Sequence, residues 1–176
     1  FYYNAQVINY SQLNPQKARE ILEDLKDNEK IISNSFYHLF VYLNLAVILF
    51  TLKQYKDAAK HISRLYLLEG YKTAQPALKL KIHIAELIIR YQLGDLEVLA
   101  SKLQLVKKDF ASLLNSEEML NEKEIIAIIS ELITSKRSKR LKERIQRFLE
   151  DESPAGEGDA EVISYRNWLQ SLPESR

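Results

Sequence analysis

Two stretches decide the fold: LKQYKDAAKHISRL at Leu52–Leu65 and LGDLEVLASKLQLV at Leu93–Val106. Set 41 residues apart, they pair Leu52 with Leu93, Lys53 with Gly94, Gln54 with Asp95, Tyr55 with Leu96, Ala58 with Leu99, Ile62 with Leu103 and Leu65 with Val106, so apolar positions coincide. Self-similarity at a fixed period of this size marks stacked helical hairpins, none of which can bury its apolar face alone. Such stacks are binding surfaces far more often than catalysts.

Weaker copies extend the period outward. Ala18, Leu22 and Leu25 in LNPQKAREILEDL match Ala58, Ile62 and Leu65, and Leu141, Ile145 and Phe148 repeat the same offsets further on. Asn14 is placed to cap the first of these helices, with Pro15 at the first helical position, where a missing donor costs nothing. The expected fold is all-α: an α-α superhelix of about four helix-turn-helix repeats. Its helices are Tyr2 to Tyr10 with Pro15 to Leu25, Phe36 to Leu52 with Tyr55 to Leu67, Ala77 to Gln92 with Leu96 to Leu113, and Glu122 to Thr134 with Ser138 to Leu149. Connections at Asp27 to Asn34, Glu69 to Gln75 and Asn115 to Asn121 carry polar turn formers and are expected as surface loops.

Residues 1–149 form the repeat domain in this reading. An acidic flexible loop follows at 150–161, and a capping helix at 162–172 carries Val162, Ile163, Tyr165, Trp168 and Leu169 at helical spacing. Four glycines and four prolines in 176 residues leave few turn sites for hairpin strands, which supports long helices. Without cysteine there is no thiolate catalysis, cysteine zinc site or disulfide, and the composition fits a reducing compartment. A cytoplasmic location is expected. The chain starts at Phe1 with no methionine, so upstream sequence is expected to precede it.

Phe36 to Leu52, FYHLFVYLNLAVILFTL, carries no charge over 17 residues, about the shortest length that spans a bilayer. His38, Asn44 and Thr51 interrupt it, and it leads directly into a repeated amphipathic helix, so a buried inner helix is expected and no membrane. The 25 basic and 24 acidic residues nearly cancel and give no net field favouring nucleic acid.

LNLAVILFTLKQYKDAAKHISRL at Leu43–Leu65 resembles a tetratricopeptide repeat, with small or apolar residues at Leu45 and Ala46, an aromatic at Tyr55, and Ala58 where two helices approach. IRYQLGDLEVLA at Ile89–Ala100 resembles the next unit, with the family's glycine at Gly94. Together with YRNWLQS, these segments are similar to tetratricopeptide-like proteins of Bacteroidetes bacteria. The unit departs from the 34-residue pattern: Lys53 replaces the turn glycine, Leu99 the contact alanine, and no proline closes either unit. The resemblance implies protein or peptide binding and contributes no catalytic residue; HEAT or armadillo units fit the period equally.

In such a stack the first helices line the concave face. Phe36, Leu39, Leu43, Ala46 and Phe50 map by the period onto Ala77, Leu80, Ile84, Leu87 and Tyr91 and are expected as core. The adjacent stripe, Tyr37, Phe40, Asn44, Val47 and Thr51, maps onto Leu78, Lys81, Ala85, Ile88 and Gln92. From it Tyr37, Phe40, Asn44, Thr51, Lys81 and Gln92 are the candidate partner-binding residues, aromatic anchors beside an amide and a cation. The competing reading buries both stripes between neighbouring helices.

Phosphate-loop, HExxH and GxSxG motifs are missing, and neither catalysis, a cofactor nor a metal is expected. His83 and Glu86, three apart beside Lys79 and Arg90, have a ligand spacing but read as a solvated face. The strongest charge feature, Lys136 to Arg147, holds Lys136, Arg137, Lys139, Arg140, Lys142, Arg144 and Arg147. A nucleic-acid-binding helical protein would use this patch and is the alternative function. Leu141, Ile145 and Phe148 make the segment amphipathic with its cations outward, and the acidic loop that follows is close enough to neutralise them. No aromatic platform is interleaved for bases, so nucleic acid is disfavoured.

Overall fold

A computed structural model describes residues 13–134, 138–151 and 161–172 of the chain. The expected helix over Tyr2 to Tyr10, most of the acidic segment 150–161, and Lys136 and Arg137 lie outside them. Every regular element among the described residues is helical. No helix there is long and apolar enough to cross a membrane. The chain divides into two compact units at Lys79–Leu80.

The first unit holds α1 (Pro15–Lys26), α2 (Glu29–Ile32), α3 (Ser35–Thr51), α4 (Tyr55–Leu65) and α5 (Glu69–Lys72), and the next helix, α6 (Pro76–Leu93), begins in it. Asn14 caps α1 by accepting the Lys17 N–H at 3.1 Å, with Pro15 first in the helix. Asn34 caps α3 by accepting the N–H groups of Phe36 and Tyr37. Ala18, Leu22 and Leu25 of α1 meet Val41, Leu45 and Ile48 of α3 in one apolar cluster, and α4 packs on α3 through Ala58, Ala59, Ile62 and Leu65. The connections at 27–34 and 69–75, expected as loops, each contain one helical turn, α2 and α5. At Gly70 of α5 an added Cβ would lie 2.2 Å from the Ser35 carbonyl oxygen, so only glycine permits this approach to α3.

The second unit comprises most of α6 with α7 (Leu96–Asp109), α8 (Ala111–Leu114), a 3-10 turn at Glu117–Met119, α9 (Leu120–Thr134), α10 (Lys139–Glu150) and α11 (Tyr165–Ser171). The single helix expected through Leu113 is broken at Phe110, and the connection at 115–121 carries the 3-10 turn. Leu99, Leu103 and Val106 of α7 are buried, as are Ile125, Ile126, Ile128 and Ile129 of α9. The helix expected over 162–172 starts only at Tyr165, after the Ser164 cap, so Val162 and Ile163 precede α11. Ile163, Tyr165, Trp168 and Leu169 are buried, and the Trp168 ring stands edge-on to Tyr91 of α6 at 5.8 Å.

The two paired phrases turn in the same way. Lys53 and Gly94 both adopt positive φ, at 59° and 72°. Gln54 N–H donates back to the Leu49 carbonyl at 2.8 Å and Asp95 N–H to that of Arg90 at 3.2 Å. Lys53 N–H reaches Phe50 and Gly94 N–H reaches Tyr91. This pair of bonds is the Schellman closure of a helix C-terminus, which requires a left-handed residue at the turn.

Candidate functional site

On α3 the candidate residues divide by their surroundings. Tyr37 is 45% exposed, and its ring stands edge-on to that of Phe36, 63% exposed, with centroids 5.9 Å apart. Phe36 was expected in the core. It sits instead in the first turn of α3, just after the Asn34 cap, and presents its ring to solvent. Phe40 is half-buried. Asn44 donates its amide N–H to the Phe40 carbonyl at 2.8 Å, and Thr51 its hydroxyl to that of Val47 at 3.1 Å. Both donors are thus turned onto their own helix, as short polar side chains in helices often are.

In the second unit Gln92 is half-buried, but Lys81 is not on an accessible stripe. It is 5% exposed, with its ammonium 4.0 Å from Oε1 of the buried Glu122 on α9. This corrects the expected role of Lys81: a buried cation needs an internal counter-charge, and Glu122 supplies one. Glu161, before α11, lies in the same field. Burial pushes its carboxyl above the usual range, the bond from Tyr165 N–H pulls it down, and Glu122 pushes it up again.

His83 and Glu86 also differ from expectation, since neither lies on a solvated face. Glu86 is 1% exposed and accepts from Arg90 at 3.3 Å and from Lys102 of α7 at 3.0 Å. Arg90 also pairs with Asp95 at 3.2 Å, across the turn that contains Gly94. The His83 ring packs against Phe110 at 5.4 Å, and burial holds it below the usual imidazole range. Among the described residues no three His, Cys, Asp or Glu side chains are grouped to hold a metal ion.

The basic helix α10 is divided in the same manner. Lys139, Arg140, Lys142 and Arg147 are exposed. Arg144, expected outward, reaches back to α9: Nε and Nη2 lie 2.5 and 2.8 Å from the two oxygens of Glu124, and Nη1 lies 2.5 Å from Glu131 Oε1. A cleft of about 370 Å³ opens beside this clasp, lined by residues of α7, α8, α9 and α10. Comparison with protein-family models, with curated proteins and with solved structures finds no match to this chain.

Sequence reasoning missed the buried ion pairs and this cleft. The period gave Lys81 the same register as Phe40, and an aligned position says nothing about whether a facing helix brings a carboxylate. Three and four places after Glu122 stand Ile125 and Ile126, and after Glu124 Ala127 and Ile128, a spacing that would have marked both acids on the packed side of α9.

Proposed function

We propose that this chain is a non-enzymatic, cytoplasmic protein-interaction scaffold, in which tetratricopeptide-like hairpins build an α-α superhelix that binds a peptide or protein on its concave face. The matching left-handed turns at Lys53 and Gly94 support the repeat reading. One observation carries the binding reading: Phe36 and Tyr37 offer two aromatic rings to solvent side by side at the head of α3. Exposed rings cost free energy that a partner recovers, about 1.5–3 kcal/mol for a fully buried large apolar side chain, and aromatic anchors concentrate binding energy. Phe40 continues this stripe on α3, with Asn44 and Thr51 as its polar members, and Gln92 holds on α6 the register that Thr51 holds on α3.

Selection of a displayed random peptide library on the folded chain tests the reading. The recovered peptides should bind Phe36→Ser/Tyr37→Ser at least about tenfold more weakly, the equivalent of 1.4 kcal/mol, with the helical circular dichroism unchanged. Equal affinity for the variant, or no recovered peptide, refutes it.

The second reading, nucleic acid on α10, is favoured by its exposed face of Lys139, Arg140, Lys142 and Arg147, with Lys136 and Arg137 preceding it in the sequence. Glu143 and Glu150 interrupt that face, and Arg144 is committed to Glu124 and Glu131. Salt-dependent binding of a DNA or RNA oligonucleotide, lost in Lys139→Glu/Arg140→Glu/Arg147→Glu, would favour it over the scaffold reading.

A further inference from the structure

The cleft beside Arg144 has a floor and a rim of different chemistry. Leu114 of α8 with Ile126 and Ala127 of α9 form an apolar floor, while Lys107 of α7, Lys123 of α9 and Arg144 of α10 bring cations to it from three helices. Its volume of about 370 Å³ falls in the lower part of the range of sites that take compact ligands, about 300–1,000 Å³.

The three cations are not equivalent. Arg144 is clasped by Glu124 and Glu131, two negative charges against its one, and Glu131 itself lines this wall of the cleft. Lys107 donates to the Ser130 hydroxyl at 2.9 Å, a contact that holds the ammonium against α9 without cancelling its charge. Lys123 is exposed, and among the described residues neither lysine has a carboxylate partner. Three cations against the carboxylates of Glu124 and Glu131 leave the cleft one net positive charge over an apolar floor, with Lys107 and Arg144 held by internal bonds and Lys123 open to solvent.

We infer that this cleft is a docking slot for an acidic peptide that places one aliphatic side chain on Leu114, Ile126 and Ala127 and flanking carboxylates on Lys107 and Lys123. A free inorganic anion would engage the lysines and leave the floor wet. A nucleic-acid strand would need a stacking platform, and the lining has no aromatic residue. An aliphatic residue between acids satisfies floor and rim together, because charge complementarity supplies steering and register while the buried side chain supplies area. The inference rests on the scaffold reading only in making the ligand a peptide. Its lining residues belong to the second unit, and the Phe36 and Tyr37 rings to the first.

The test uses the full 176-residue chain and fluorescein-labelled peptides followed by anisotropy at low salt. The probe has the sequence Asp-Glu-Leu-Asp-Glu, with two controls, Asn-Gln-Leu-Asn-Gln and Asp-Glu-Ser-Asp-Glu. The acidic leucine peptide should bind, both controls should bind at least about tenfold more weakly, and added salt should weaken the complex. Lys107→Glu/Lys123→Glu should remove binding, the exposed Lys123→Glu alone should weaken it, and Phe36→Ser/Tyr37→Ser should leave it unchanged. Amide shifts on titration should centre on Ile126 and Ala127. No binding at low salt, equal binding of either control, an oligothymidylate binding the same lysines more tightly, or indifference to Lys107→Glu/Lys123→Glu each overturns the slot. Binding lost only in Phe36→Ser/Tyr37→Ser would also overturn it while leaving the scaffold reading intact.

Discussion

Lys53 and Gly94 occupy the same left-handed backbone position one period apart, each closing the helix before it with the same pair of backward hydrogen bonds. A side chain with a Cβ is disfavoured there by about 1–2 kcal/mol, partly offset by the greater entropy glycine loses on folding. Lys53→Gly should therefore raise stability by about 0.5–1 kcal/mol. Gly94→Ala should lower it by about 1 kcal/mol through conformation alone, because nothing lies within 4 Å of an added Cβ. Urea midpoints at unchanged slope measure both. A lower midpoint for Lys53→Gly would refute the strain argument.

That pair also shows how far the sequence could be read. The period located the turn, because apolar residues at matching offsets on both sides force the chain to reverse between them. Glycine marks that turn in the second copy only, and Lys53 carries no such mark although it takes the same positive φ. The helices were legible for a related reason: Ala58, Ile62 and Leu65, like Leu99, Leu103 and Val106, fall on one face, and all six are buried. Side-chain chemistry was less legible. Lys81 and Arg144 read as surface cations because burial depends on a facing helix distant in sequence, and Glu122, Glu124 and Glu131 are the residues that take them inward. Phe36 read as core because the period carries no information on where a helix enters the packed region.

Gly70 gives a steric test. Its missing Cβ lets α5 lie against the Ser35 carbonyl, a backbone atom that cannot swing aside, so Gly70→Ala must displace α5 or the first turn of α3. The expected loss is about 1–3 kcal/mol, as for an overpacked core, seen as a lower melting temperature. An unchanged melting temperature would mean that α5 does not pack as described.

Lys81 separates a structural role from a binding one. Lys81→Met should leave Glu122 buried without its cation and cost about 3–5 kcal/mol, whereas Lys81→Met/Glu122→Leu should recover most of that loss, since an apolar pair of similar volume avoids desolvating both charges. Denaturant unfolding of the two variants decides the matter. A single variant as stable as the parent would return Lys81 to the list of partner-facing residues.

Arg144 spans two acids with a planar fork, which a lysine cannot reproduce. Arg144→Ala should cost about 1–3 kcal/mol by leaving two carboxylates facing each other, and Arg144→Lys should restore only part. The guanidinium bond holds the Glu124 carboxyl below its ordinary value of 4.5. Its contribution is therefore present above that value and lost as pH falls through the depressed one. The stability difference between the parent and Arg144→Ala should shrink on acidification. A difference that stays constant with pH would exclude the ion pair as its cause.

Glu161 carries the opposite sign. Burial pushes its carboxyl above 4.5, and the negative Glu122 adds to the rise against the cations Arg166 and Lys81. The folded chain then holds this proton more tightly than the unfolded chain, so the stabilisation is full below the ordinary value and fades as pH rises through the raised one. The affected element is α11, whose first N–H, that of Tyr165, is bonded to Glu161 Oε2 at 2.7 Å and whose Trp168 is buried beside Tyr91. Glutamine keeps an oxygen for the Tyr165 N–H and has no proton to lose, so the advantage of Glu161→Gln over the parent should grow as pH rises above the ordinary carboxyl value and through the raised one. Trp168, the only tryptophan in the chain, reports the transition through its emission maximum. If the parent's emission and unfolding midpoint track those of Glu161→Gln at every pH, the buried carboxyl does not govern the docking of α11.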